Sequence, residues 1–290
     1  MNYVDPLLMV NSKKICPVCS GDKHRKKTCV ACCKSGYVPI DLSGLWDNMS
    51  AFLVCGGPSI NKLPFHLLRE RGIASLGINN SAGHVPCSAW CFSDPQEKFH
   101  HGLFLDPTIM TFAPIPKLSK RIRIKADGKI DWTDIKVQDC PNTFGFDRKT
   151  FMYPNKFVTT PYAQWGYGGK QPAEERPFTC LATMLIGIRL LSYLGCRNIY
   201  LLGADFWRNE DEQYAFPQKA ALANGRYQKE NEMLKSVKPA LGSVGVNIYN
   251  CNPESKCDAF DYVSFDEAYK VCRARVPREP FDLAGWYEKG

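Results

Sequence analysis

Two Cys-x-x-Cys pairs, Cys16-Pro17-Val18-Cys19 and Cys29-Val30-Ala31-Cys32, stand nine residues apart near the start of the chain. Each pair offers two thiolates to one ion from a tight turn, and two pairs complete the tetrahedral sulfur shell that structural zinc prefers. Gly21 and Gly36 follow the pairs as turn residues, Cys33 is a spare thiol and His24 a weaker substitute ligand. A module this small lacks a core, so Zn2+ would supply much of its folding free energy. Unligated reduced thiols are the plainer alternative. Between the pairs, Lys23, Arg25, Lys26 and Lys27 form a basic tip that could touch nucleic-acid phosphates with an affinity that weakens as salt rises, or could simply be solvated.

A second set of candidates follows short apolar runs. Ala51-Phe52-Leu53-Val54-Cys55 breaks directly into Gly56-Gly57-Pro58-Ser59, which reads as a buried strand ending in a sharp turn whose backbone N–H groups face an anion. Ile73–Ile78 leads into Asn79-Asn80, Ala89–Phe92 into Ser93-Asp94-Pro95, and Asn198–Leu202 into Gly203-Ala204-Asp205-Phe206. In an open parallel sheet, ligands bind beyond the carboxyl ends of the strands, so these four ends are expected to converge on one site.

The rest of the chain has to position these groups. Its 290 residues, 44% of them hydrophobic, suffice for one large α/β domain with a small module attached. No apolar run approaches the roughly 20 residues that span a bilayer, and the first residues lack the order of a secretory signal. A cytoplasmic protein with reduced thiols is therefore expected despite 14 cysteines. A formal charge of +8 favours a polyanionic partner without choosing one.

The expected organisation is a zinc-knuckle module over 1–44 and a mostly parallel sheet with helices on both faces over 45–290. A crossover helix is expected at 64–71, and a strand near 108–113. Residues 115–138 read as an inserted hairpin turning at Asp127-Gly128. Period-two alternation puts Arg121, Arg123 and Lys125 on one face there, either to meet an acidic acceptor or to protect an edge strand. Residues 142–176, rich in Gly, Pro, Tyr and Asn, read as a lid. Helices are expected over 178–194 with Thr179 near the N-cap, over 228–241 and over 264–275, with a strand at 246–249 between the last two.

The ordered strand-end motifs resemble a group of Rossmann-like transferases that includes bacterial sialyltransferases, motility accessory factors and hydroxymethylpterin diphosphokinase-like proteins. The likeness covers about residues 50–260 and adds Thr179-Cys180, Tyr214-Ala215-Phe216 and Cys251-Asn252-Pro253 to the motifs above. The cysteine module lies outside it and resembles the zinc knuckles of DnaJ-type chaperones and zinc ribbons. The resemblance implies that Gly56, Gly57, Pro58 and Ser59 meet a donor phosphate and that Asn79 and Asn80 hold phosphate or sugar. Asp94 and Asn252 would line the donor site. Thr179 would cap a helix aimed at the leaving phosphate, and Tyr214 would donate a hydrogen bond to it.

The sialyltransferases place a general-base histidine after the Tyr-Ala-Phe motif, and this chain has no histidine after His101. Asp94 and Asp205 are the replacement candidates, with Glu230 third. The leading expectation is a nucleotide-sugar-dependent glycosyltransferase acting on a hydroxyl, with a hydroxymethylated pyrimidine in viral DNA as the acceptor. Two alternatives stand beside it. One is diphosphate transfer from ATP with Mg2+; the other is a non-catalytic, zinc-dependent nucleic-acid-binding protein.

Overall fold

The computed structural model describes residues 13–15, 19–20, 22, 24–29, 37–39, 42–146, 148–150, 157, 163–165, 182–208, 213–218 and 224–274. In chain order the elements are β1 (Lys13–Ile15), β2 (Tyr37–Pro39), β3 (Ser50–Val54), β4 (Ala74–Ile78), α1 (Ser81–His84), β5 (Ala89–Cys91), α2 (His101–Leu105), β6 (Met110–Pro114) and α3 (Ile115–Leu118). They continue with β7 (Arg121–Ala126), β8 (Lys129–Lys136), β9 (Thr143–Phe146), β10 (Arg148–Thr150), β11 (Ala163–Trp165), α4 (Thr183–Tyr193), β12 (Asn198–Leu202), α5 (Asn224–Ser243), β13 (Asn247–Asn250), β14 (Asp261–Tyr262) and α6 (Phe265–Arg273).

Eight strands form a parallel sheet in the order β14-β13-β12-β3-β4-β5-β6-β9. The chain steps outward from β3 through β4, β5 and β6, then returns to the opposite side of β3 as β12. That reversal opens a crevice between the carboxyl ends of β3 and β12, where doubly wound folds bind their ligands. Every residue of Ser50–Val54 is buried, as expected for a central parallel strand covered on both faces. On one face, α4 is buried along all eleven of its residues and shares a core with Leu53, Leu201, Leu234 and Val237. On the other, Phe52 and Tyr200 of the sheet pack against Phe265 and Ala268 of α6. Arg189 of α4 lies inside the first core with its guanidinium 5.5 Å from the centre of the Phe157 ring. Burial draws its pKa down to about 10.

The structure departs from the sequence reading at several elements. Only a 3-10 turn over Phe65–Arg69 forms where a crossover helix was expected. The segment is too short to offset the cost of helix nucleation, and within the turn only Leu68 is buried. The start of the expected lid is the interior strand β9, which pairs with β6 through Thr111↔Thr143 to Pro114↔Phe146. Most of the remaining lid residues lie outside the described ones. The long helix opens at Thr183 with Ala182 as N-cap, so Thr179 does not cap it; Thr179 itself lies outside the described residues. The β7–β8 hairpin forms as read, its turn residues Asp127 (φ +50°) and Gly128 (φ +77°) both left-handed, as a two-residue type I′ connection demands.

The cysteine loop is tied to this sheet. β1 and β2 pair antiparallel at its base, and β1 pairs with β9 at Lys13↔Gly145, extending the sheet by two strands. Cys19 and Cys29 are both buried. The amides of His24 and Arg25 donate to Asp22 Oδ1 at 2.8 and 2.9 Å, and Arg25 and Lys27 are exposed on the tip. Lys23, Cys16 and Cys32, like the side chain of Lys26, lie outside the described residues. No cluster of three or more metal-ligating side chains occurs among the described residues, and these include only two of the four thiols.

Candidate functional site

A cavity of about 620 Å³ lies at the carboxyl ends of β3, β4, β5 and β12. It brings together Gly56, Gly57, Asn79, Asn80, Asp94, Asp205 and Tyr214 from the sequence-predicted set. Pro58, Ser59 and Asn252 stand behind its wall instead of lining it. The reason is the Asp205 carboxylate, which accepts hydrogen bonds from the Ser59 amide (2.9 Å), the Ser59 hydroxyl and Asn252 Nδ2 (2.8 Å). Asp205 thus ties the turn after β3 to the tips of β12 and β13. With three donors on two oxygens, its carboxylate is engaged as a clamp.

The turn after β3 also differs from a loop of free amides. Gly57 N–H donates to the Gly203 carbonyl at 2.8 Å, and the Ser59 amide is held by Asp205. Gly56 N–H has no hydrogen-bond partner among the described residues. Gly57 is required sterically: a Cβ there would lie 2.5 Å from both Asp205 Oδ2 and the Gly203 carbonyl oxygen. Gly57 therefore serves the close approach of β3 to β12, whereas a Cβ at Gly56 would meet the rings of Tyr214 and Phe216 at 3.2 and 3.3 Å.

The floor of the cavity is a polar knot. Asn79, left-handed at φ +49°, donates from Nδ2 to Thr183 Oγ1 at 3.2 Å and accepts from the Ser93 amide at 3.1 Å. The hydroxyls of Ser93 and Thr183 lie 2.5 Å apart. Together these bonds lock the tips of β4 and β5 to the first residue of α4. The N-terminus of α4 is consequently aimed into the cavity, where it carries roughly half a positive charge. Asn80 donates to Gln218 Oε1 at 2.8 Å across the opening. Asp94 is half exposed, its carboxylate 3.9 Å from Lys98 Nζ.

Arg208, Arg226, Tyr227 and Glu230 add polar side chains to the wall, and of these four only Glu230 stood out in the sequence. The Arg208 guanidinium lies over the Tyr214 ring at 4.2 Å and over the Tyr227 ring at 5.2 Å. Arg226 pairs with Glu230 at 2.6 Å across one turn of α5. Burial pushes the Tyr227 hydroxyl up to about 12, partly countered by Arg208, so it stays protonated and able to donate. Burial likewise pushes the Cys55 thiol, which also lines the cavity, far above its ordinary range, keeping it un-ionised and non-nucleophilic. Phe206 adopts φ +56°, with its ring tilted against Tyr227 at 5.7 Å, and the following Trp207 is half exposed at the cavity mouth. A left-handed non-glycine residue beside a ligand cavity is where backbone strain concentrates. The signals available for Arg208 and Arg226 were their positions: one just past a strand-end aspartate, the other four residues before Glu230 on a helix face.

The fold is α/β, a parallel sheet with helices packed on it, and the cavity lies at the carboxyl ends of its strands where the strand order reverses. No family model, curated protein or solved structure matches the chain. No helix among the described residues is long and apolar enough to cross a membrane.

Proposed function

We propose that the chain is a nucleotide-sugar-dependent glycosyltransferase. The observation that carries this reading is the composition of the switch-point cavity. One wall presents the N-terminus of α4 and the guanidinium groups of Arg208 and Arg226, and the lining also includes the Asp94 carboxylate. Such a site suits a ligand with a phosphate leaving group and a neutral nucleophile.

In the proposed reaction the acceptor hydroxyl oxygen attacks the anomeric carbon of the donor sugar, and the bond from that carbon to the phosphate oxygen breaks. The hydroxyl proton passes to Asp94, which takes the place of the missing histidine; Asp205 is committed to three donors, and Glu230 is held by Arg226. The phosphate leaves with its negative charge, met by Arg208, Arg226 and the helix terminus, while the phenols of Tyr214 and Tyr227 donate hydrogen bonds. In this reading the guanidinium groups of Arg208 and Arg226 carry the developing charge. Cys16, Cys19, Cys29 and Cys32 would hold a structural Zn2+; the burial of Cys19 and Cys29 fits a thiolate shell closed to water. The acceptor is a hydroxymethylated pyrimidine in DNA.

The test is incubation of the protein with hydroxymethylated DNA and a panel of nucleotide sugars, followed by mass spectrometry of the released nucleosides. A mass increase of one sugar supports the reading. Transfer of diphosphate from ATP, or DNA binding with no turnover of any donor, would replace it.

A further inference from the structure

The β7–β8 hairpin carries a surface that the cavity does not use. Its inner face is anchored: Ile122 is fully buried with Leu118 and Val137, Thr133 Oγ1 donates to the Ile122 carbonyl at 3.1 Å, and Gln96 Nε2 donates to the Arg121 carbonyl at 3.2 Å. Its outer face is open to solvent. There Arg123 is paired across the ladder with Trp132, and Lys125 with Ile130. Trp132 and Ile130 are 52% and 55% exposed, whereas most large apolar side chains among the described residues are buried. The Arg123 guanidinium lies 5.8 Å from the centre of the Trp132 ring, and Arg121 meets Asp134 at 3.2 Å on the same face.

An aromatic ring flanked by cations on a rigid ribbon matches what a single nucleic-acid strand needs. Every base presents a π-face to stack on, and the cations follow the backbone. A water-filled surface with cations but no aromatic ring would bind any polyanion. One with exposed apolar side chains but no cations would instead favour self-association. The excess of lysine and arginine along the ribbon and the net charge of +8 favour an anionic occupant. Gln96, which holds the ribbon's base at the Arg121 carbonyl, follows the cavity-lining Asp94 by two residues.

We infer that the outer face of β7–β8 is a docking surface for unpaired nucleic acid, with Trp132 stacking on a base and Arg123 and Lys125 on the adjacent phosphates. The inference rests on the proposed function in taking the acceptor to be nucleic acid. Its test measures binding without any donor, so it fails separately from the transfer reaction.

Fluorescence anisotropy with a labelled single-stranded oligonucleotide would be measured for the full chain, Trp132→Ala, Trp132→Phe and Arg123→Ala. All of these positions are surface sites, so unchanged thermal unfolding confirms folding. Trp132→Ala is expected to weaken binding about tenfold while Trp132→Phe retains most of it. Arg123→Ala is expected to lower the slope of log affinity against log salt by about one. Equal affinity for the oligonucleotide in Trp132→Ala and wild type overturns the stacking role. Absence of oligonucleotide binding, tighter binding to duplex that ignores Trp132, or self-association abolished by Trp132→Ala without oligonucleotide affinity overturns the docking surface.

Discussion

Replacing Gly57 with alanine is the sharpest perturbation of the candidate site, because the obstacle is backbone. The new Cβ would lie 2.5 Å from the Gly203 carbonyl oxygen, and that carbonyl accepts the Gly57 amide at 2.8 Å. Relief cannot come from a rotating side chain; it has to separate the tips of β3 and β12. Overpacking of this kind costs about 1–3 kcal/mol. Strain on the Ser59–Asp205 bonds adds roughly 1.5–3 kcal/mol for each one lost, because the acceptor is a carboxylate. At roughly 2–4 °C per kcal/mol for a domain of this size, melting should fall by several degrees. Nucleotide binding, followed by isothermal titration with a panel of nucleotide sugars, should weaken at least tenfold, since the displaced tips line the cavity. Ser59→Ala is the contrast. Its hydroxyl donates to the Asp205 carboxylate and does not line the cavity, so stability drops by about 1.5–3 kcal/mol with donor affinity largely kept. A Gly57→Ala protein that melts within a degree of wild type and binds the same nucleotide equally well would refute the close-approach argument.

Three other outcomes can be checked. Arg208→Met should weaken nucleotide binding by roughly 10- to 100-fold, the worth of a charged hydrogen bond, while leaving unfolding by urea nearly unchanged; loss of folding instead would make Arg208 structural. Asp94→Asn should lower sugar transfer by roughly 10²- to 10⁴-fold at unchanged donor affinity, and an equal fall in both would deny it the role of base. The buried thiols set an alkaline limit on stability. Burial pushes Cys87, Cys196 and Cys251 up to about 12, and Cys140 and Cys257 up to about 11. Each stays protonated in the folded chain after its unfolded counterpart has ionised near about 8.5. Their contribution is therefore complete below about pH 8 and is lost as pH rises toward 11–12, so urea midpoints should hold to about pH 8 and fall above pH 9; a midpoint that rises there contradicts the assignment.

What could be read from the amino acids alone was whatever repeats locally. Ala51–Cys55, Ile73–Ile78, Ala89–Phe92 and Asn198–Leu202 announce buried parallel strands because both faces are covered and no alternation is needed. Asp127-Gly128 announces its turn because only left-handed residues fit it. Even the convergence of four strand ends followed from the general rule for open sheets. The tertiary structure decided what each residue does there. Gly57 and Ser59 looked like phosphate ligands, yet their amides are spent on Gly203 and Asp205, because parallel neighbours compete for the same N–H groups. Thr143–Phe146 looked like loop, yet the open edge of β6 recruits it as a strand. Arg208 carried only the weak signal of following a strand-end aspartate. Its place over Tyr214 and Tyr227 depends on rings six and nineteen positions away along the chain, and only the folded chain brings such residues face to face.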